Sequence, residues 1–192
     1  MSSTREQFIE ATCDLLEEQG YHATGLKQIV AESGSPKGSL YYYFPEGKEE
    51  LAAEAIRRTG EMVAARIRDN LSDVEDLAAT VRRFVRRIAD HVEASGYRSG
   101  GPLMTVAMET AASSERLNLA CREAYDRLQE AFAERLHAGG FSSGRAAEVA
   151  AFVTASIEGG IILSRTAHSG DPLRRVADEL GGYLNSMQEG DG

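Results

Sequence analysis

The chain is predicted to be all-α, with about nine helices: an N-terminal helix-turn-helix head of three helices, followed by an antiparallel helical bundle. Three observations predict this class. Apolar residues recur at spacings of three and four along most of the chain, the period of a helix with one buried face. Alternating runs rich in β-branched residues, which would read as strands, are absent. Glycine and proline mostly fall between the periodic runs, where they separate helices. Of the 192 residues, 42% are hydrophobic and 27% charged, enough apolar material to build a real core.

The elements follow in order. The first helix is expected to begin at Thr4, with Thr4 and Gln7 as a capping box. It carries Phe8, Thr12, Leu15 and Leu16 on one face and ends at Gly20. Thr24 is expected to cap a short second helix that buries Leu26, Ile29 and Val30. Gly34 breaks that helix, and Ser35-Pro36 reads as the N-cap and first position of a third. Phe44-Pro45-Glu46-Gly47 is the next break, and a long fourth helix is expected from Lys48 to Asn70. A fifth runs from Val74 to Ala94 with Leu77, Val81, Phe84, Ile88 and Val92 on its apolar side. After the Gly-rich stretch ending at Pro102 come a short helix over Leu103–Ala112 and a long one over Ser114–Ala138. The last two are expected over Arg145–His168 and after Asp171-Pro172, the latter with Leu173, Val176, Leu180 and Leu184 inward. The domain boundary is expected after Gly47, with the helix-turn-helix head over 1–47 and the helical bundle over 48–192.

Composition narrows the function classes. Cys13 and Cys121 are far apart and suggest neither a disulfide framework nor a metal site. No metal and no cofactor are expected. The first residues lack the basic and apolar regions of a signal peptide, and no run is expected to be apolar enough to span a membrane. A cytoplasmic protein without membrane contact is therefore expected. The net charge is −9, and residues 1–58 hold six basic against ten acidic side chains. Any nucleic-acid binding must rest on where a few cations sit, because phosphate affinity comes from Lys and Arg.

The segment Thr24–Phe44, TGLKQIVAESGSPKGSLYYYF, has unusual contents for a core helix. Gly38 lowers helix propensity by about 1 kcal/mol relative to alanine, which makes sense where the backbone approaches another molecule closely. Lys37 can reach a phosphate or a guanine edge, and the hydroxyls of Ser39 and the tyrosines can donate to phosphate. Leu40 and Phe44, four apart, are expected to pin the helix to the two before it. Tyr41, beside Leu40, is expected to be half-buried packing, and Glu46 must point away from any bound phosphate.

These residues resemble the signature of TetR-family regulators. The matching elements are Ile29-Val30, Ser33-Gly34, Lys37-Gly38-Ser39-Leu40-Tyr41-Tyr42-Tyr43-Phe44 and Lys48-Glu49-Glu50-Leu51. Departures are Tyr43 in place of a histidine, Ser35-Pro36 in place of an apolar-Ser pair, and one extra residue before Lys48. The Phe-Pro-Glu-Gly-Lys form, with the Gly-Gly-Pro-Leu-Met run after Ser99, resembles the LmrA-like branch. The resemblance implies DNA contacts from Thr24, Lys37, Tyr42, Tyr43 and Lys48, with Lys27 and Ser39 as additions. It also implies a homodimer that acts as a repressor on a palindromic double-stranded operator and is released by a small, mostly apolar effector. By the same resemblance, residues 1–47 are a DNA-binding domain and residues 48–192 a ligand-binding and dimerisation domain.

For the effector, the bundle offers Met62, Phe84, Met104, Met108, Tyr125 and Phe132 as apolar or aromatic candidates. His91, Thr105 and Glu109 are the polar ones. For any one of these nine core filling is the plainer reading, and His91 reads as a satisfied or surface histidine. For the dimer interface the candidates are Phe152, Ser156, Gly159, Gly160, Leu163, Leu180 and Leu184, since paired glycines permit close helix approach; an intramolecular contact explains them too. Arg82, Arg83, Arg86 and Arg87 form a basic stripe that reads as a solvated face. An enzyme using Glu109 or His91 as a base has no nucleophile spacing, phosphate loop or metal motif behind it. A helical ligand-binding or interaction protein that has lost DNA binding is the other alternative, with the acidic charge its one argument.

Overall fold

A computed structural model of the chain describes residues 3–72 and 76–190. Among them are nine helices and no strand: α1 (Thr4–Ala23), α2 (Leu26–Ser33), α3 (Lys37–Tyr43), α4 (Lys48–Asn70), α5 (Leu77–Ala94), α6 (Met104–Thr110), α7 (Glu115–Ala138), α8 (Ser143–Ala167) and α9 (Asp171–Gly190). The all-α reading holds. Compactness divides the chain into two units, one of Met1–Met62 with Gly101–Tyr125 and one of Val63–Gly100 with Asp126–Gly192. The two units part inside α4 and α7, and α6 falls in the first.

In the first unit, α1 packs against α2, α3 and α6. Its capping box is one residue earlier than expected. Ser3 is the N-cap; its Oγ accepts from the Glu6 N–H at 3.3 Å, and the Glu6 carboxylate accepts from the Ser3 N–H at 2.9 Å. Glutamate at the third helical position suits this reciprocal bond, and its charge also favours the helix N-terminus. Gly20 breaks the helix as expected, with φ 78°, but a further turn through Ala23 follows the kink. The core is Phe8, Ile29, Leu40, Phe44 and Leu51, all nearly inaccessible. Phe8 and Phe44 meet edge-on with ring centres 6.4 Å apart, so Leu40 and Phe44 anchor α3 as its sequence implies.

Two cap assignments are corrected. Gly25, not Thr24, is the N-cap of α2; Thr24 instead closes α1, its N–H donating to Tyr21 O. Pro36 precedes α3 as its cap, and Ser35 is buried with its hydroxyl on Gln7 Oε1 at 2.9 Å. Both hydroxyls find partners across the α1 packing surface, which outweighs the local capping preference.

In the second unit, α9 lies against α5 and α8. Leu173, Ala177, Leu180 and Leu184 recur along one buried face, the amphipathic pattern expected from sequence. Asp76 caps α5 through the Ala79 N–H; the expected start at Val74 lies outside the described residues. Ser142 caps α8, which starts that helix two residues before the expected Arg145. The turn from α8 to α9 is tied to α5, because Glu93 accepts from the Gly170 N–H at 2.9 Å and from Arg174 at 2.5 and 3.0 Å. The basic stripe is paired within this unit: Arg82 and Arg86 with Asp178, Arg83 with Thr80, and Arg87 with Asn70.

One expectation fails here: α8 is long and apolar enough to cross a membrane by length and composition. Its Ala146, Val149, Val153, Ile157 and Ile161 are buried by neighbouring helices, as in the core helix of a bundle.

Candidate nucleic-acid interface

The third helix presents a polar aromatic surface. Lys37 and Gly38 are exposed at its start and Ser39 is half-buried; Tyr41 is 56% and Tyr42 79% exposed. Lys37 and Tyr41 are one turn apart, as are Gly38 and Tyr42, so these four share the outward side opposite Leu40. A Cβ placed on Gly38 would meet nothing within 4 Å, so no packing among the described residues accounts for the glycine. Tyr43 is half-buried and stacks edge-on against Tyr42 at 5.0 Å. Tyr41 is thus not packing, as the sequence suggested, but part of the exposed face. Its ring reaches the region of Gly47, 3.9 Å from where a Cβ there would lie.

The flanking candidates divide. Lys27 is exposed on α2. Thr24 is 1% exposed and its hydroxyl donates to Gly20 O at 2.6 Å, which leaves no side-chain atom for a phosphate. Lys48 is half-buried: its ammonium donates to Tyr21 O at 2.6 Å and lies 4.0 Å over the Tyr21 ring. Burial lowers the Lys48 pKa, and the nearby Glu109 carboxylate partly restores it. Glu46 pairs with Arg116 of α7, which neutralises one of the head's acidic groups close to α3. The head's acidity is offset by pairing at Glu46, while Lys37 and Lys27 stay exposed.

The bundle candidates fall in both units. Phe84 and Phe132 meet edge-on at 6.0 Å in the second unit, with Phe132 buried. Met104, Thr105 and Tyr125 are half-buried, whereas His91 is exposed, Met62 is 37% and Met108 76% exposed. Glu109 serves the backbone of α1: it accepts from the Tyr21 N–H at 2.6 Å and the His22 N–H at 3.1 Å. This role escaped the sequence reading, because the partners are main-chain groups 87 and 88 residues away.

The interface candidates also divide. Leu180 and Leu184 are 2% and 0% exposed, turned inward with the rest of the α9 stripe. Gly160 is buried, and a Cβ there would lie 2.9 Å from Leu173, so it serves the contact of α8 with α9 inside the chain. These three are corrected from interface to core. Phe152 and Leu163 are 49% and 58% exposed and Ser156 and Gly159 half-buried; Ile162, 42% exposed, joins them unanticipated. No cluster of metal-ligating side chains occurs among the described residues. Both cysteines are buried thiols, and burial pushes Cys121 up to about 11.

Comparison with known proteins agrees with this architecture. Residues 8–55 match the family model "Bacterial regulatory proteins, tetR family", and residues 78–179 match "Transcriptional regulator LmrA/YxaF-like, C-terminal domain". The chain is 40% identical over 174 residues to the transcriptional regulator LmrA of Bacillus subtilis, covering 91% of this chain and 93% of that one. It is 38% identical over 177 residues to YxaF of the same organism, covering 92% and 93%. Among solved structures, reduced Escherichia coli NemR shares the fold at a TM-score of 0.81 and 21% identity, over 93% of this chain and 96% of that one. A TetR regulator from Legionella pneumophila does so at 0.78 and 20%, over 95% and 98%. With the helix-turn-helix, its exposed Lys37–Tyr42 face and an LmrA/YxaF-like C-terminal region in one chain, this protein belongs to the TetR family of bacterial transcriptional regulators.

Proposed function

We propose that the protein is a repressor that binds a palindromic operator as a homodimer in the cytoplasm and is released by a small, mostly apolar effector. The observation that carries the reading is the outward side of α3. Lys37, Tyr41 and Tyr42 stand exposed on a helix whose other side is fixed by Leu40 and Phe44. Gly38 between them lets the backbone approach a groove. Lys37 reads a base edge or phosphate, and the tyrosine hydroxyls and Ser39 hold the phosphates that set register. Lys27 adds a cation from α2. Thr24 has no part in the contact, and Tyr43 supports Tyr42 through its ring.

The dimer reading rests on α8, where Phe152, Ile162 and Leu163 are large apolar side chains left exposed. A second copy related by a two-fold axis covers such a face with itself and supplies the paired heads that a palindrome needs. The effector reading rests on the match of residues 78–179 to the LmrA/YxaF-like C-terminal domain, where Phe84 and Phe132 are the aromatic candidates.

The test is a mobility-shift titration with the intergenic DNA adjoining the protein's own gene. A shift is expected that weakens steeply with salt and is lost in Lys37→Ala and Tyr42→Ala. Equal affinity in both variants removes these residues from the interface, and the absence of any shift favours an interaction protein that has lost DNA binding.

A further inference from the structure

The peptide of Tyr21 is held from both sides. Its N–H, with that of His22, donates to the Glu109 carboxylate of α6 at 2.6 and 3.1 Å. Its carbonyl accepts from the Lys48 ammonium at 2.6 Å, and its ring carries that cation at 4.0 Å. Sequence order gives this arrangement its meaning. Tyr21 lies at the kink of α1, just before the helix-turn-helix begins at Leu26; Lys48 opens α4, just after α3 ends at Tyr43. The entry and the exit of the reading segment are thus tied to one peptide, and Glu109 fixes that peptide to α6.

The kink is shaped for the carboxylate. Gly20 has φ 78°, a region that side chains disfavour, and a Cβ there would lie 2.6 Å from Glu109 Oε1 and 2.8 Å from Thr105 Cγ2. At the break in α1 the N–H groups of Tyr21 and His22 turn to the Glu109 carboxylate, as the first N–H groups of a helix take partners from outside it. A carboxylate is the strongest acceptor for such groups. Glu109 also faces the Lys48 charge across the same peptide.

We propose that Glu109 is a positioning residue for operator binding: by holding the Tyr21–His22 turn it sets the entry and exit of the helix-turn-helix relative to each other. It touches no DNA itself. This inference rests on the DNA-binding reading above.

The experiment compares Glu109→Ala, Glu109→Gln and Lys37→Ala by anisotropy titration against the shifted intergenic fragment, with circular dichroism as the check of folding. Both Glu109 variants remove the same negative charge, but only glutamine keeps an oxygen acceptor. Glu109→Ala is expected to bind at least tenfold more weakly than wild type, and Glu109→Gln within threefold of wild type. Equal affinities for the two variants overturn the proposal, since charge and not the hydrogen bond then governs. Wild-type affinity in Glu109→Ala overturns it as well. Should Glu109→Ala not fold, Glu109→Asp replaces it: the charge stays while the carboxylate retracts by one methylene. At least threefold weaker binding is then expected, and wild-type binding overturns the proposal. Failure of the DNA-binding reading shows separately, as no binding of the fragment by wild type, whereas wild-type affinity in Lys37→Ala removes only Lys37 from the interface.

Discussion

Thr24 shows how a single hydroxyl divides between fold and function. Its Oγ donates to the Gly20 carbonyl and receives Gln19 Nε2 at 3.3 Å, all within the α1 kink. Replacing it with valine keeps the shape and leaves a buried carbonyl without that donor. Thr24→Val is expected to lower stability by about 1–2 kcal/mol in urea denaturation, with operator affinity of the folded protein unchanged. A loss of affinity without a loss of stability assigns Thr24 to the DNA instead. Glu93 gives a pH-dependent counterpart. Hydrogen bonds from Arg174 and then from the Gly170 N–H hold its carboxyl below the usual 4.5. A depressed folded-state pKa contributes stability that is full above the unfolded value and is lost as pH falls through the folded one. Thermal melts of wild type and Glu93→Gln are therefore expected to converge as pH drops below about 4.5, and parallel curves there contradict the assignment. Residues whose roles are local, such as Leu40 and Phe44, were legible in the sequence from spacing alone. Thr24 and Glu109 were not, because their partners are main-chain atoms that only the folded chain brings near.

Helices meet where side chains permit it, and Gly60 is such a place. It sits mid-helix in α4, and a Cβ there would lie 2.7 Å from Ala124 Cβ and 2.8 Å from Ala124 Cα on α7. Alanine would gain up to about 1 kcal/mol in helix propensity. The clash with α7 backbone outweighs this, since overpacking costs about 1–3 kcal/mol and a backbone atom cannot rotate away. Gly60→Ala is expected to be net destabilising by about 1 kcal/mol or more in urea denaturation; a more stable variant shows that α4 and α7 have room. The order and number of helices were legible because the 3.6-residue period is local. Helix starts were legible less well: Ser3 and Ser142 cap one or two residues earlier than expected. Serine and threonine stand in neighbouring positions at these ends, and packing decides which becomes the cap.

At the scale of the molecule, a palindromic operator calls for two heads and therefore two chains. The inward leucines of α9 could not be told from an interface stripe by sequence, since both produce the same periodicity. Their burial inside the chain leaves the outer side of α8 as the dimer surface we propose. Leu163→Glu places a charge on that surface and is expected to convert a dimer to a monomer in sedimentation equilibrium. Binding to a palindromic fragment should weaken with it, because each head then binds alone. A variant that remains dimeric moves the interface elsewhere. The overall charge of −9 marks the other whole-molecule requirement. An acidic protein must hold its few exposed cations where the DNA is, and the outward side of α3 is where Lys37 stands.

That requirement makes the salt dependence of DNA binding the deciding measurement. Affinity for the adjoining intergenic DNA is to be measured by anisotropy across a salt series, for wild type and for Lys37→Ala and Tyr42→Ala. Log affinity is expected to fall linearly with log salt in wild type. Lys37→Ala should bind more weakly, with a slope shallower by about 0.9 per chain if the contact is to phosphate. Tyr42→Ala, which removes no charge, should weaken binding with the slope retained. Binding in which neither variant changes affinity or slope would contradict the assignment of the exposed α3 side as the DNA-reading surface.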